Sequence, residues 1–378
     1  MRLLVLTQDF PPRVGGIETY SWELARRWAR EVEHLVVLAP SHPESARIDR
    51  AAPFTVVRTR VPDDLLSLAG GLPASAVVAR HRIDTAFLAQ WQPGGGVLAL
   101  RRAGALRRVG IAAHGREILL RPFGGVAQAA MDALRRKVLA GADALFPVSR
   151  YTAGLIRRQG VEHPRVFVVG NGTDPERFSP GDGGEFRRRH GLGEGPLVVT
   201  IGRLVPRKGI DDVLRALPSV VARAPGTIYA VIGGGPDQGR LEGLARSLGV
   251  AERVRFLGKV SDAEVVEGFR AADVFVTASR DDEPDVEGFG LVFLEAGACG
   301  RPVVGTRAGG IPDAIVDGET GLLVPQGDPA ALGAALGRVL TDAELAGRLG
   351  AAGRQRVLTV ANWDRAAAEI LGALRGLG

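Results

Sequence analysis

Two carboxylates, Glu287 and Glu295, stand eight residues apart around the run Gly288-Phe289-Gly290-Leu291-Val292. That spacing is a little over two helical turns at about 3.6 residues per turn. A helix that begins near Leu291 leaves Glu287 in the loop before it and carries Glu295 about one turn inside. The backbone N–H groups of Phe289, Gly290, Leu291 and Val292 then form the open helix end, which suits a phosphate or diphosphate. A carboxylate repels phosphate but accepts hydrogen bonds from hydroxyls. The two glutamates therefore suit sugar or ribose hydroxyls on either side of a diphosphate. The chemistry implied is that of a nucleotide sugar. Taken alone, the same spacing also fits an ordinary loop and helix with two solvated glutamates, so the neighbouring segments have to decide.

A second segment, Thr200-Ile-Gly202-Arg203-Leu-Val-Pro-Arg-Lys208-Gly209, follows a strand-like run and leads into a helical one. Arg203 and Lys208 lie five residues apart on a proline turn, and two cations there can neutralise a departing diphosphate. Gly233-Gly234-Gly235-Pro-Asp237 is a third anion-friendly end in the same half of the chain. In the first half, Gly15-Gly16 open a helix after a proline-stiffened loop. A phosphate or sugar can sit against such amides, although a simple turn uses glycines equally well. This is not the G-x-G-x-x-G dinucleotide fingerprint. His114 ends a strand-like run and is followed by glycine, which can aim its imidazole outward or leave it structural. The acidic run Asp281–Asp285 reads as a solvated loop rather than a metal site. The six histidines lack paired metal spacing and the lone cysteine, Cys299, excludes a cysteine cluster or a disulfide framework.

These segments need a scaffold with several strand ends on one edge. Short apolar runs alternate with amphipathic stretches along the whole chain. The strand candidates are 3–6, 34–38, 55–57, 85–88, 110–113, 144–148 and 166–169, then 197–201, 228–232, 254–257, 274–277, 302–305 and 321–324. Helical stretches include 16–31, 207–223, 237–248 and 363–377. Repeated βα units with buried strands predict parallel sheets covered by helices on both faces. Two successive sets in 378 residues predict two doubly wound α/β domains, with residues 174–196 as the linker. Ligands of such folds bind beyond the C-terminal strand ends, which places the expected site in a cleft between the domains.

The formal net charge is +6. Residues 1–180 hold 25 Lys+Arg against 16 Asp+Glu, a balance of +9, and residues 181–378 hold 23 against 26, a balance of −3. Arg101-Arg102, Arg107-Arg108 and Arg135-Arg136-Lys137 carry much of the excess. Such a face can attract an anionic lipid surface or an anionic substrate. With only three lysines in the chain, a solvated arginine-rich surface is the plainer alternative. No apolar stretch approaches the roughly 20 residues that span a bilayer. The expected location is cytoplasmic, on the membrane face if peripheral.

Read together, the segments resemble the retaining glycosyltransferases of family four, which have the GT-B fold. The resemblance rests on GGIE at Gly15, HGRE at His114, SRYTAGLI at Ser149, NGTDPERF at Asn171, GRLVPRKG at Gly202, IGGGPD at Ile232, FLGKVSD at Phe256 and EGFGLVFLEAGACGRPVVGTRAGGIPD at Glu287. Within the family, the D-V-E-G-F-G turn is similar to that of phosphatidylinositol mannosyltransferases and related GDP-mannose enzymes. The resemblance implies two Rossmann-like domains. Residues 1–174 with 363–378 would take the acceptor and 184–362 the nucleotide-sugar donor. Arg203 and Lys208 are implied on the diphosphate, Glu295 on the ribose, Glu287 on donor-sugar hydroxyls, and His114 on the sugar near the reacting carbon. Gly202, Gly234 and Gly288 to Val292 would hold the donor through their backbone, and Gly15 and Gly16 would lie near phosphates and acceptor. Val260 and Asp262 would lie at the base.

The implied reaction is transfer with retention, by same-face attack in which the leaving diphosphate takes the acceptor's proton. It needs no metal and no cofactor beyond the donor. The acceptor is a hydroxyl, on a glycolipid in the mannosyltransferase reading, and no nucleic acid is expected as partner. A UDP- or TDP-sugar enzyme acting on a soluble molecule, a non-transferring epimerase and a membrane-binding module are the rival readings.

Overall fold

A computed structural model of the chain describes residues 1–61 and 71–377. Gly378, the last residue of the expected C-terminal segment, lies outside the described residues. The chain divides into two compact units, Met1–Asn171 with Trp363–Gly378, and Gly172–Asn362.

The first unit holds β1 (Arg2–Leu6), β2 (His34–Pro40), β3 (Thr55–Thr59), β4 (Thr85–Leu88), β5 (Arg108–Ala113) and β6 (Ala144–Pro147). They pair in the order β3-β2-β1-β4-β5-β6, all parallel. Strands covered on both faces read as continuous apolar runs, and β4 and β6 are buried at every residue. The order reverses between β1 and β4, and a crevice beyond the C-terminal ends of such a pair is where open α/β sheets bind ligands. The helix Trp363–Arg375 completes this unit. Its Trp363, Ile370, Leu371 and Leu374 are buried, and Trp28 Nε1 donates to Ala367 O at 2.8 Å. Burying each such side chain stabilises the fold by about 1.5–3 kcal/mol.

The second unit repeats the plan with β7 (Leu197–Ile201), β8 (Ile228–Ile232), β9 (Val254–Gly258), β10 (Val274–Thr277), β11 (Val303–Thr306) and β12 (Leu322–Val324). Their order is β12-β11-β10-β7-β8-β9, so the reversal falls between β7 and β10. Val198, Leu214, Tyr229, Val231, Val276 and Val304 belong to one core cluster between this sheet and its helices.

Three expectations differ from the structure. Residues 166–169 form no full strand. Phe167 and Val169 donate to Leu145 O and Pro147 O beside β6, but Phe167 and Val168 stay more than a third exposed. Residues 174–196 are no linker: they belong to the second unit and contain the helix Gly184–Arg189. Buried Phe178, Phe186 and Leu192 anchor the segment, and Arg187 donates to Ala271 O at 2.7 Å and to Asp273 Oδ2 at 2.8 Å. Finally, Arg135 is not part of a surface patch. It is buried, donates to Asp132 Oδ1 and Gln159 Oε1, and lies 5.8 Å over the Trp91 ring.

Candidate active site

In the second unit, β7 runs out into the loop Gly202–Gly209. Pro206 opens one 3₁₀ turn over Pro206–Lys208, and Gly209 ends it with φ 63°. A Cβ at 209 would stand 1.8 Å from Ala278 O, so the loop packs against the β10 exit only because this residue is glycine. The turn throws Arg207 and Lys208 onto the loop after β10. Lys208 Nζ donates to Glu287 Oε2 at 2.5 Å, and Arg207 Nη1 to the same oxygen at 2.9 Å. Arg207 also pairs with Asp285 Oδ2 at 3.2 Å. Burial alone would raise the Glu287 carboxyl, but Lys208 and Arg207 outweigh it and hold it down at about 2.

Arg203 does not join this cluster. It is exposed, and among the described residues its side chain has no ion-pair or hydrogen-bond partner. Of the two cations singled out on this loop, Lys208 is therefore already engaged and Arg203 is open to a ligand. Arg207 was missed because nothing in the spacing says which of two adjacent cations a 3₁₀ turn directs inward; Pro206 and Gly209 are the only trace of that turn in the sequence. The run Asp281–Asp285 is likewise only partly a solvated loop. Asp281 to Pro284 are exposed, but Asp285 is half-buried against Arg207.

The helix after β10 spans Leu291–Ala298, so Glu287 precedes it and Glu295 sits inside its second turn. Gly290 takes φ 94° at its N-cap. Among the described residues no backbone acceptor meets the N–H groups of Phe289, Gly290, Leu291 or Val292, which leaves four donors at the helix end. The Glu287 carbonyl, in contrast, is taken by Gly310 N–H at 2.8 Å. Gly288 is half-buried between Glu287 and this end. Glu295 has no hydrogen-bond or ion-pair partner among the described residues. Burial pushes its carboxyl up to about 7, with Asp262 adding to the rise and Arg177 and Lys208 opposing it. Arg177 pairs with Asp262 at 3.4 Å and lies 5.0 Å over the Phe178 ring. Val260 is half-buried just before the helix Asp262–Ala271, whose Ser261 N-cap forms a capping box with Glu264.

The β7 and β8 exits interlock. Leu204 N–H donates to Gly234 O at 3.0 Å, Gly202 N–H donates to Ile232 O at 2.9 Å, and a Cβ at 233 would stand 1.9 Å from Gly202 O. One edge of the second unit thus carries a carboxylate held by two cations, a free arginine, an open helix end and an unpaired glutamate. That edge can bind a diphosphate and the hydroxyls around it. Among the described residues no three His, Cys, Asp or Glu side chains converge as a metal site would require.

Gly15, Gly16 and His114 belong to the first unit. Gly15 caps the helix Gly16–Trp28, and a Cβ there would stand 2.3 Å from Glu18 Oε2. The loop before it is fixed by Arg58, whose Nη2 donates to Pro11 O at 2.8 Å. Across the strand reversal, Gln90 Nε2 donates to Asp9 Oδ2 at 2.6 Å. His114 stands at the end of β5, its Nε2 2.9 Å from Ala89 O and its ring edge-on to Tyr20 with centroids 4.7 Å apart. Burial lowers its pKa to about 4, against the opposing effects of the Ala89 carbonyl and Asp9. The imidazole is neutral at physiological pH.

Two Rossmann-like sheets of identical strand order, with glycine-rich loops and an open helix end at the second reversal, define the GT-B class of glycosyltransferases. Solved structures with this fold include sucrose-phosphate synthase from Thermosynechococcus elongatus, with a TM-score of 0.84 and 24% identity over 100% of this chain and 99% of that one. Anabaena HepE in complex with UDP has a TM-score of 0.83 and 20% identity, covering 100% of both chains. Residues 14–177 match the family described as Glycosyltransferase Family 4, and residues 183–356 match Glycosyl transferases group 1. The GDP-mannose-dependent alpha-(1-6)-phosphatidylinositol monomannoside mannosyltransferase of Mycolicibacterium smegmatis is 37% identical over 388 residues, covering 99% of this chain and 98% of its own. The protein of the same description from Mycobacterium tuberculosis H37Rv is 34% identical over 383 residues, with the same coverages. The chain belongs to the family-four glycosyltransferases and is an enzyme that takes a nucleotide-sugar donor and a glycosyl acceptor.

Proposed function

We propose that this enzyme transfers mannose from GDP-mannose, with retention, to a phosphatidylinositol mannoside or a similar glycolipid. The observation that carries the reading is the 37% identity to the mycobacterial mannosyltransferase over 99% of this chain, which includes the first unit where an acceptor would bind. Arg203 and Lys208 bind the diphosphate with the amides of Phe289 to Val292. Glu295 takes the ribose, Glu287 the sugar hydroxyls, and Val260 and Asp262 the base. His114 contacts the transferred sugar. The developing charge on the leaving diphosphate is offset by these cations and the helix end, and the diphosphate itself takes the acceptor's proton. No metal is needed in this scheme, so activity should survive EDTA; loss in chelator with recovery on Mg²⁺ or Mn²⁺ would overturn that part.

Among the described residues no helix is long and apolar enough to cross a membrane. A peripheral position on the cytoplasmic membrane face is supported by the charge balance of the first half. Arg116, Arg121 and Val126 are exposed on the first unit, and Phe123 is half exposed among them, a basic and apolar combination that suits an anionic lipid surface. A second reading has partial support. The D-inositol 3-phosphate glycosyltransferase of Acidothermus cellulolyticus is 38% identical over 257 residues, which is 64% of this chain and 56% of that protein. A labelled-transfer assay separates the two. GDP-mannose with phosphatidylinositol monomannoside in vesicles should give product, with NMR of the product showing the donor's anomeric configuration. Transfer from UDP-sugars to soluble inositol phosphate instead would replace the proposal.

A further inference from the structure

The turn His114-Gly-Arg-Glu117 carries a group that the mechanism above does not use. Glu117 is 4% exposed, in the short helix Arg116–Leu119. Its Oε1 accepts the backbone N–H of His114 at 2.6 Å and of Gly115 at 3.3 Å. These two N–H groups lie past the end of β5, where the sheet offers them no partner, and an unmet buried N–H is costly. Gly115 makes the turn possible with φ 118°, a backbone only glycine adopts readily. The same turn is tied to the β4 exit by Trp91 Nε1, which donates to Glu117 O at 2.9 Å.

The consequence falls on the His114 ring. Ala89 O, 2.9 Å from Nε2, can only accept, so Nε2 carries the hydrogen. In a neutral imidazole Nδ1 is then a bare acceptor, suited to a hydroxyl of a bound sugar. This tautomer depends on where the backbone of residue 114 is held, and Oε1 of Glu117 holds it. Glu117 Oε2 is buried with no partner among the described residues. Burial raises the pKa of the group, as does nearby Asp9, against the hydrogen bonds from the backbone N–H groups.

We propose that Glu117 is a positioning residue of the transferase, a buried acceptor that fixes the His114 backbone so that the ring presents an unprotonated Nδ1 to the donor sugar. The proposal rests on the reading of His114 as the sugar contact. Three variants test it together: Glu117→Ala, Glu117→Gln and His114→Ala. Glu117→Ala should lose about 10²-fold in kcat, the scale of a misplaced reacting geometry, with KM for GDP-mannose changed less than threefold. Glu117→Gln keeps a carbonyl acceptor for the same two N–H groups and should stay within threefold of the parent.

Histidine ¹⁵N NMR of the unliganded protein, with the His114 signal identified by its loss in His114→Ala, should show a single Nε2–H tautomer in the parent and in Glu117→Gln. In Glu117→Ala it should show a mixture. Unchanged kcat and tautomer in Glu117→Ala overturn the proposal. So does a Glu117→Gln enzyme as impaired as Glu117→Ala, because an acceptor at that place would then not be what matters. Full activity in His114→Ala removes the sugar contact beneath the proposal and sinks both. If GDP-mannose gives no turnover with the parent, the donor assignment fails on its own and the tautomer still decides for or against Glu117.

Discussion

At the scale of single residues, the structure separates groups that the sequence presents as equivalents. Arg203 and Lys208 share a loop, yet one is exposed without a partner and the other is buried against Glu287. Replacing Arg203 with alanine should therefore lower turnover by roughly 10²-fold and leave the melting temperature unchanged. Lys208→Ala should cost 10²–10³-fold and also lower the melting temperature, because Glu287 would keep only Arg207 as a buried counter-charge. Steady-state kinetics with thermal melts on both variants check this; near-parent turnover in either at saturating donor removes that residue from the diphosphate.

Glu295 makes a pH prediction. Burial pushes its carboxyl up to about 7, against an ordinary 4.5. With Glu295 on the ribose as proposed, the hydroxyls would donate to the ionised form, so affinity for bare GDP should weaken as pH falls from 8 to 5.5. The nucleotide's own phosphate takes up a proton near pH 6, roughly, and would mimic part of that slope. Calorimetry on Glu295→Gln isolates the carboxyl: the variant should bind more weakly at pH 8 and show the shallower slope. Identical slopes in the two proteins would exclude a titrating Glu295. The sign for stability is opposite. A raised carboxyl contributes its stability in full below about 4.5 and loses it as pH rises through about 7. The unliganded parent should therefore lose stability relative to Glu295→Gln across that interval.

At the scale of elements, the loops are placed by glycines that admit no side chain. Gly209 has φ 63° and would put a Cβ 1.8 Å from Ala278 O, whereas Gly226 has φ 84° with open space around it. Gly226→Ala should cost about 1 kcal/mol through backbone strain alone. Gly209→Ala should cost roughly 2 kcal/mol or more, because the clash with the β10 exit adds to the strain. Denaturant melts compare them, and equal losses would mean that the β7 loop is free to move away from Ala278.

This contrast also explains how far the sequence could be read. Strands such as Leu197–Ile201 are buried at every residue, so their apolar runs declare them. The helix at Leu291 was legible because Gly290 precedes an apolar run. Residues 174–196 were misread since Pro and Gly signal a chain reversal but do not say whether the reversal is packed; Phe186, fully buried, is what holds it down. Residues 166–169 share the composition of a strand, yet whether an edge segment pairs fully is decided by its neighbour. Glu117 and Arg207 were missed for a common reason: each works through a turn three or four residues long, and such turns leave almost no periodicity.

At the scale of the whole molecule, the excess positive charge sits in residues 1–180. With Arg135 buried and Arg101 paired to Asp143, the cations left for a surface include Arg102, Arg107, Arg121, Arg136 and Lys137. Each basic residue near an anionic bilayer contributes about 1 kcal/mol, less as salt screens it. The protein should co-sediment with phosphatidylserine vesicles at low salt, release at high salt, and ignore phosphatidylcholine vesicles. Reversing Arg121 and Arg136 to glutamate should abolish the first result; indifference of the parent to lipid charge would favour a soluble acceptor.

The helix Trp363–Arg375 has a consequence for how the enzyme is made. The second unit is one uninterrupted stretch, Gly172–Asn362, but the first is finished only by residues that follow it. Trp363 seats beside Tyr20, and Trp28 bonds to Ala367. On the ribosome, the unit synthesised first is thus the one completed last, the reverse of the usual N-terminal-first order. Tyr20 and Trp28 stay uncovered while the whole second unit is translated and folds. A nascent chain halted at Asn362 should yield a protease-resistant fragment from the second unit and none from the first, and the growing polypeptide should recruit chaperones to the first unit until the helix Trp363–Arg375 emerges.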